Sequence, residues 1–134
     1  MQRLVTEFLD RFVGWAAGRD DILAVVLVGS QARGAATETS DVDLVVVATH
    51  PARYLGDIAW VRTFGGVVEH RIEHYGVLDS LRVHYADPLE VEYGVTDQRW
   101  VSDPDPETRA VLAAGFRVLY ERRPQSLTLP NPGN

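Results

Sequence analysis

Apolar residues at Val5, Phe8, Leu9, Phe12, Val13 and Ala16 recur at intervals of three and four, which puts them on one face of an amphipathic helix closing near Gly18. Asp20 and Asp21 mark a turn, and the pattern then changes to "ILAVVLV", an unbroken β-branched run suited to a central strand covered on both faces. A short helical or turn stretch from Gly29 and Ser30 to Gly34, then a loop rich in Ala, Thr and Ser, separates it from a second such strand, "VDLVVVA". The segment Pro51 to Phe64 carries Tyr54, Ile58 and Val61 on one face and ends at a Gly pair, so it predicts a second helix. "VVEHRIEHYG", "SLRVHYA" and "LEVEYGVT" alternate apolar and polar residues as strands do, and Ala86-Asp87-Pro88 joins the last two in an antiparallel hairpin. "DPDPETRAVLAAG" reads as an acid-capped helix with Pro in its first turn and Gly115 at its end, and "FRVLYE" as a final edge strand.

These elements predict one α/β (α+β) domain over residues 1–123, a mixed, mostly antiparallel-finished sheet with helices packed on one face. Residues 124–134, which include "LTLPNPGN", are expected to be a disordered tail. No internal repeat and no linker divides the chain.

Composition narrows the functional classes. A chain of 134 residues that is 46% hydrophobic can bury roughly 68% of its unfolded surface, enough for a proper core. It has no cysteine, which removes disulfides and thiolate metal sites. No apolar run approaches the roughly 20 residues of a membrane-spanning helix, and charges interrupt the N-terminal "MQRLVTEFLDRF", so the expectation is a soluble cytoplasmic protein. A formal charge of -6 without any lysine run disfavours nucleic acid as partner and fits a small or cationic one better.

Against this background Asp41 and Asp43 stand out at the entry to a hydrophobic strand. Residues two apart on a strand share a face, so both carboxylates would point the same way from Cα atoms roughly 6.6 Å apart, with Val42 turned into the core. Like charges in a partly dry site raise one carboxylate's pKa unless a cation lies between them. Mg²⁺, with Mn²⁺ as a substitute, suits a site of one or two carboxylates completed by water and substrate phosphates. Gly29 lets backbone approach a ligand closely, Ser30 presents hydroxyl and N–H groups outward, and Arg33 extends the same cradle, although a solvent-facing helix arginine accounts for it equally well.

The residues "GS", ten intervening positions and "DVD", flanked by two apolar runs and preceded by an amphipathic helix, resemble the nucleotidyltransferase superfamily with its DNA polymerase β-like fold. "GDIAWVRTFGGVVEH" and "SLRVHYADPLEVEYGVTDQRWVS" are similar to the stretch that follows this motif in streptomycin-type aminoglycoside adenylyltransferases, and the likeness covers residues 22–102. The resemblance implies Mg²⁺-dependent transfer of a nucleoside monophosphate, with ATP as default donor, to a hydroxyl acceptor. It also implies a third carboxylate on a later strand, as second-metal ligand or general base. Glu92, embedded in "VEYGV", is chosen for it and Glu90 held in reserve, with Glu where Asp is more usual. The expected site is therefore Asp41, Asp43 and Glu92 for metal and catalysis, with Gly29, Ser30, Arg33 and Ser40 toward the nucleotide. Ser40 either orients Asp41 or simply begins the strand.

Aminoglycoside-modifying members carry a large helical domain of which this chain has only a short helix and an edge strand. The resemblance thus leaves the acceptor site to be completed by another subunit, or the acceptor to be a protein, as in minimal nucleotidyltransferases that modify a helical HEPN-type partner. A homodimer, or a nucleotide- or partner-binding module of the same fold without turnover, is the alternative. His70 and His74 alternate with a strand rather than forming a metal cluster, His50 marks an exposed loop, and Trp60, Tyr75, Tyr93 and Trp100 belong to the core or frame a pocket.

Overall fold

The computed structural model describes residues 2–37, 39–75 and 78–122, with Tyr75 described in its backbone alone. In chain order the elements are α1 (Arg3–Ala17), β1 (Ile22–Val28), α2 (Gly29–Arg33), β2 (Val42–Ala48), α3 (Ala52–Gly56), a 3-10 helix (Ala59–Phe64), β3 (Val67–Tyr75), β4 (Leu78–Tyr85), β5 (Leu89–Thr96), α4 (Arg99–Ser102), α5 (Pro106–Ala114) and β6 (Arg117–Glu121). The strands form one sheet in the order β3-β4-β5-β2-β1-β6. β2 and β5 run parallel, and the other neighbours are antiparallel.

The two apolar runs occupy the middle of this sheet because both of their faces are covered. On one face Val25, Leu27, Leu44, Val46, Leu81, Val83, Val91 and Tyr93 meet Val5, Phe8, Leu9, Phe12 and Ala16 of α1, together with Tyr54, Val61 and Phe64. This is the expected layer of helices. The alternate residues Ala24, Val26, Val28, Val45 and Val47 face the other way, against Trp100, Leu112 and Phe116. The expectation of helices on one face therefore holds for α1, α3 and the 3-10 helix, while α4 and α5 cover part of the second face. Period-2 alternation in two fully apolar strands cannot reveal which face lacks a cover.

Two local readings change. The helix expected over Pro51 to Phe64 is two pieces, because Asp57 is extended (φ -135°, ψ 109°) and its carboxylate accepts the Ala59 N–H at 3.0 Å, starting the 3-10 turn. Trp60 then donates its indole N–H back to the Tyr54 carbonyl at 2.9 Å, locking the two pieces together. The short α4 was not anticipated; it carries Trp100, 2% exposed, into the second core layer. The hairpin at Ala86-Asp87-Pro88 and the edge strand β6 form as expected. The expected tail at 124–134 lies outside the described residues.

Helix α5 starts at Asp105, whose carboxylate accepts the Thr108 N–H at 2.8 Å, with Pro106 in the first turn. Asp105→Ala is expected to lower stability by about 1 kcal/mol, a drop of a few degrees in Tm measurable by circular dichroism.

Candidate active site

The face that α5 only partly covers carries the polar residues of the central strands. Parallel pairing puts Asp43 of β2 directly beside Glu92 of β5, and antiparallel pairing puts Arg82 of β4 on the other side of Glu92. Paired positions in register share a sheet face, so the three side chains form a row across neighbouring strands roughly 4.8 Å apart. The row forms part of the lining of a cleft of about 670 Å³, which Arg33, Trp100, Thr108 and Val111 also border.

Asp41, Asp43, Glu90 and Glu92 cluster at this end of the sheet around one guanidinium, that of Arg82. Nη1 of Arg82 donates to Asp41 at 2.8 Å and to Glu90 at 3.4 Å, and Nη2 donates to Glu92 at 3.1 Å. Ser80 donates its hydroxyl to the other Glu92 oxygen at 2.8 Å. Burial works against the charge on Arg82, but Glu92, Asp41 and Glu90 outweigh it and hold its pKa above the ordinary arginine value. Asp43 receives no such bond. Burial first, then Glu92 and Asp41, push its pKa up to about 7, with Arg82 offsetting only part of the effect. Glu90 is also raised, chiefly through its hydrogen bond with Asp41 and then through burial.

The backbone is shaped around Asp43. Gly29 follows β1 with φ +71°, and a Cβ placed there would lie 2.2 Å from the Asp43 carboxylate oxygen. Only a residue without a side chain leaves that carboxylate its position.

Residues 5–99 match the family model described as the nucleotidyltransferase domain. The chain belongs to this family. A protein of Methanocaldococcus jannaschii named as a protein adenylyltransferase is 24% identical over 130 residues, spanning 90% of this chain and 75% of that protein. Among solved structures, an aminoglycoside 6-adenyltransferase from Bacillus subtilis superposes with a TM-score of 0.61 at 17% identity over 77% of this chain. The Cid1 poly(U) polymerase gives 0.51 at 16% identity over 69%. These two likenesses establish the fold, and the chain spans only 38% and 30% of the respective enzymes.

In this nucleotidyltransferase domain the residues expected from the sequence divide into three groups. Asp43, Glu92, Gly29 and Arg33 all border the cleft. Asp41 precedes β2 rather than lying in it, and its carboxylate turns to Arg82. Ser30 is the second residue of α2 and half-buried, whereas the Ser40 hydroxyl accepts the Thr37 N–H at 2.8 Å and so closes its own loop. Arg82 and Ser80 were missed. His70 and His74 alternate along β3, with His74 paired to Asp79, and His50 is exposed beside Thr49. Trp60 and Tyr93 pack edge to face with centroids 4.8 Å apart in the main core, and only Trp100 of the named aromatics borders the cleft. The side chain of Tyr75 lies outside the described structure.

Among the described residues no three acidic or histidine side chains already converge as a metal site. The reason is visible in the bonds, since Asp41 and Glu92 are drawn to Arg82. Asp43 and Glu92 nevertheless fit a divalent cation: two adjacent carboxylates, one pushed up to about 7 by burial and its acidic neighbours, in a cradle shaped by Gly29. No helix among the described residues is long and apolar enough to cross a membrane.

Proposed function

We propose that this protein transfers AMP from ATP to a hydroxyl group of a protein acceptor, with Mg²⁺ held by Asp43 and Glu92 and joined by Asp41. The observation that carries the reading is the in-register pair Asp43 and Glu92 beside Gly29. When bound, Mg²⁺ supplies charge stabilisation at the phosphate oxygens and acidifies an attacking oxygen. The chain's own residues supply position. Ser80 holds one oxygen of Glu92, which keeps the carboxylate beside Asp43. Arg33 and Ser30, on the short helix that follows Gly29, are assigned to the departing phosphates. Adenine as the base and a protein as acceptor rest on the name of the archaeal relative, most of whose length this chain matches. The aminoglycoside enzyme supports the same donor, while its acceptor is less favoured because this chain spans 38% of it.

A second reading is a module that binds nucleotide without turnover, possible for a site in which an arginine engages two of the three expected carboxylates. Thermal unfolding with ATP, with and without Mg²⁺, tests the shared part. A Mg²⁺-dependent gain of about 2.7 kcal/mol is expected when ligand is present at about 100 times its Kd. Incubation of α-labelled ATP with cell extract then separates the readings: covalent label on a protein, with pyrophosphate released, supports the transferase. Stabilisation with neither product supports the binding module, and no stabilisation at all overturns both.

A further inference from the structure

Arg82 is engaged in an unusual way. One guanidinium serves three carboxylates through its two terminal nitrogens, while its Nε is buried and has no hydrogen-bond partner. Glu73 Oε1 on β3 lies 3.5 Å from Nε, and the same oxygen accepts from Arg71 at 3.1 Å. A buried N–H left unpaired costs free energy, so the position of Arg82 is a compromise in which the pull of Asp41 and Glu92 wins over a complete set of bonds. A second anchor lies on the neighbouring strand, away from Asp43, because the register sets Glu73 opposite Ser80 and Arg71 opposite Arg82.

We propose that Arg82 is the resident cation of this site: it holds Asp41 and Glu92 while no divalent ion is bound, and swings toward Glu73 when one enters. This rests on the functional reading above. A guanidinium and a divalent ion repel each other at the same carboxylate oxygens, so an ion that takes Asp41 and Glu92 displaces the guanidinium from them. Closing the Nε bond to Glu73, while Glu90 is still within reach, offsets part of that loss. Arg82 is thus a positioning residue that sets how tightly the site takes metal, and it keeps the carboxylates from flying apart before the nucleotide arrives.

The test is Mn²⁺ binding to the full chain, read by electron paramagnetic resonance, without nucleotide and then with a non-hydrolysable ATP analogue. Arg82→Gln is expected to bind free Mn²⁺ about tenfold more tightly than wild type, because the competitor is gone. It is also expected to melt lower without metal and to recover on adding Mn²⁺. Glu73→Gln, which leaves Asp41, Asp43 and Glu92 intact, is expected to bind several-fold more weakly because Arg82 loses its second anchor. Should Arg82→Gln fail to fold, the Glu73→Gln result decides, and unchanged affinity there overturns the inference. Equal or weaker binding by Arg82→Gln, with analogue-dependent binding by wild type that Asp43→Asn abolishes, overturns the role of Arg82 and leaves the nucleotidyltransferase reading standing. Absence of Mn²⁺ binding in every protein, with analogue included, overturns both.

Discussion

Asp43→Asn is expected to remove nucleotidyl transfer, by a factor of about 10³ or more, and at the same time to stabilise the metal-free protein above neutral pH. The two effects have one cause. Asp43 lies beside Glu92 without a hydrogen-bonded cation, and burial with its acidic neighbours lifts its pKa from 3.8 to about 7. A carboxyl group raised in the folded state binds its proton more tightly there than in the unfolded chain, so folding loses stability as the pH rises. The loss begins near the unfolded value of 3.8 and is complete above about 7. Asparagine mimics the protonated form at every pH and escapes it. The stability of the variant minus that of wild type should therefore widen between pH 4 and pH 7 and level off beyond, reaching about 2–4 kcal/mol. Taking the difference removes the titration of groups common to both proteins. The charged groups that share the cleft with Asp43 are Glu92 on β5, Arg82 on β4, Arg33 on α2 and Glu107 on α5, with Asp41 two residues earlier in the chain also acting on it. Chemical denaturation at stepped pH, with chelator present, reads the effect. A difference that stays flat with pH would mean that Asp43 is compensated by something other than its proton. Saturating Mg²⁺ and ATP should reverse the order of stability, because only wild type then gains the ligand.

Much of this arrangement was legible in the chain. Two continuous apolar runs could only be central strands, and the small residues after the first and the acids before the second marked where a ligand would sit. Asp43 and Glu92, two of the three acids expected from the sequence, border one cleft, while Asp41 is placed differently from the expectation. Asp41 was placed on the strand beside Asp43; the strand begins at Val42, which frees Asp41 to reach Arg82. Arg82 itself was passed over inside "SLRVHYA", although the signal was present. A hairpin centred on Asp87 sets residues 82 and 92 opposite each other, and the register confirms that pairing. Alternation with buried Leu81, Val83 and Tyr85 then forces Arg82 onto the same face as Glu92. Hydrophobic periodicity could not give the pairing of β2 with β5, separated by most of a hairpin meander, because parallel neighbours leave no turn between them to read; the family resemblance alone implied that the strand of Glu92 lies next to that of Asp43. The covering of the second face by α4 and α5 was hidden for a similar reason: a four-residue helix has no periodicity to detect.

Gly29→Ala should impair the site severely, on the order of 10² in rate, without removing any functional group. The added methyl would fall 2.2 Å from the Asp43 carboxylate oxygen and 3.1 Å from its Cγ, distances at which one partner must move. The backbone of Val28 and Gly29 cannot yield easily, since Val28 is paired with Asp43 across the sheet. Asp43 would have to rotate away from Glu92, and displacement of a reacting group by about 1 Å costs on the order of 10² in rate. Part of the damage would come from conformation alone, because φ +71° is unfavourable for alanine by about 1–2 kcal/mol. Gly34 isolates that part. It caps the far end of the same helix at φ +70° and an added Cβ there meets nothing within 4 Å. Gly34→Ala should therefore lose about the same 1–2 kcal/mol of stability by denaturant titration while keeping its transfer activity and its Mg²⁺-dependent stabilisation by ATP. Gly29→Ala should lose more stability than that, and both functional readouts with it. Equal behaviour of the two alanine variants would mean that the glycine after β1 serves only the turn, and that the carboxylate of Asp43 has room to spare.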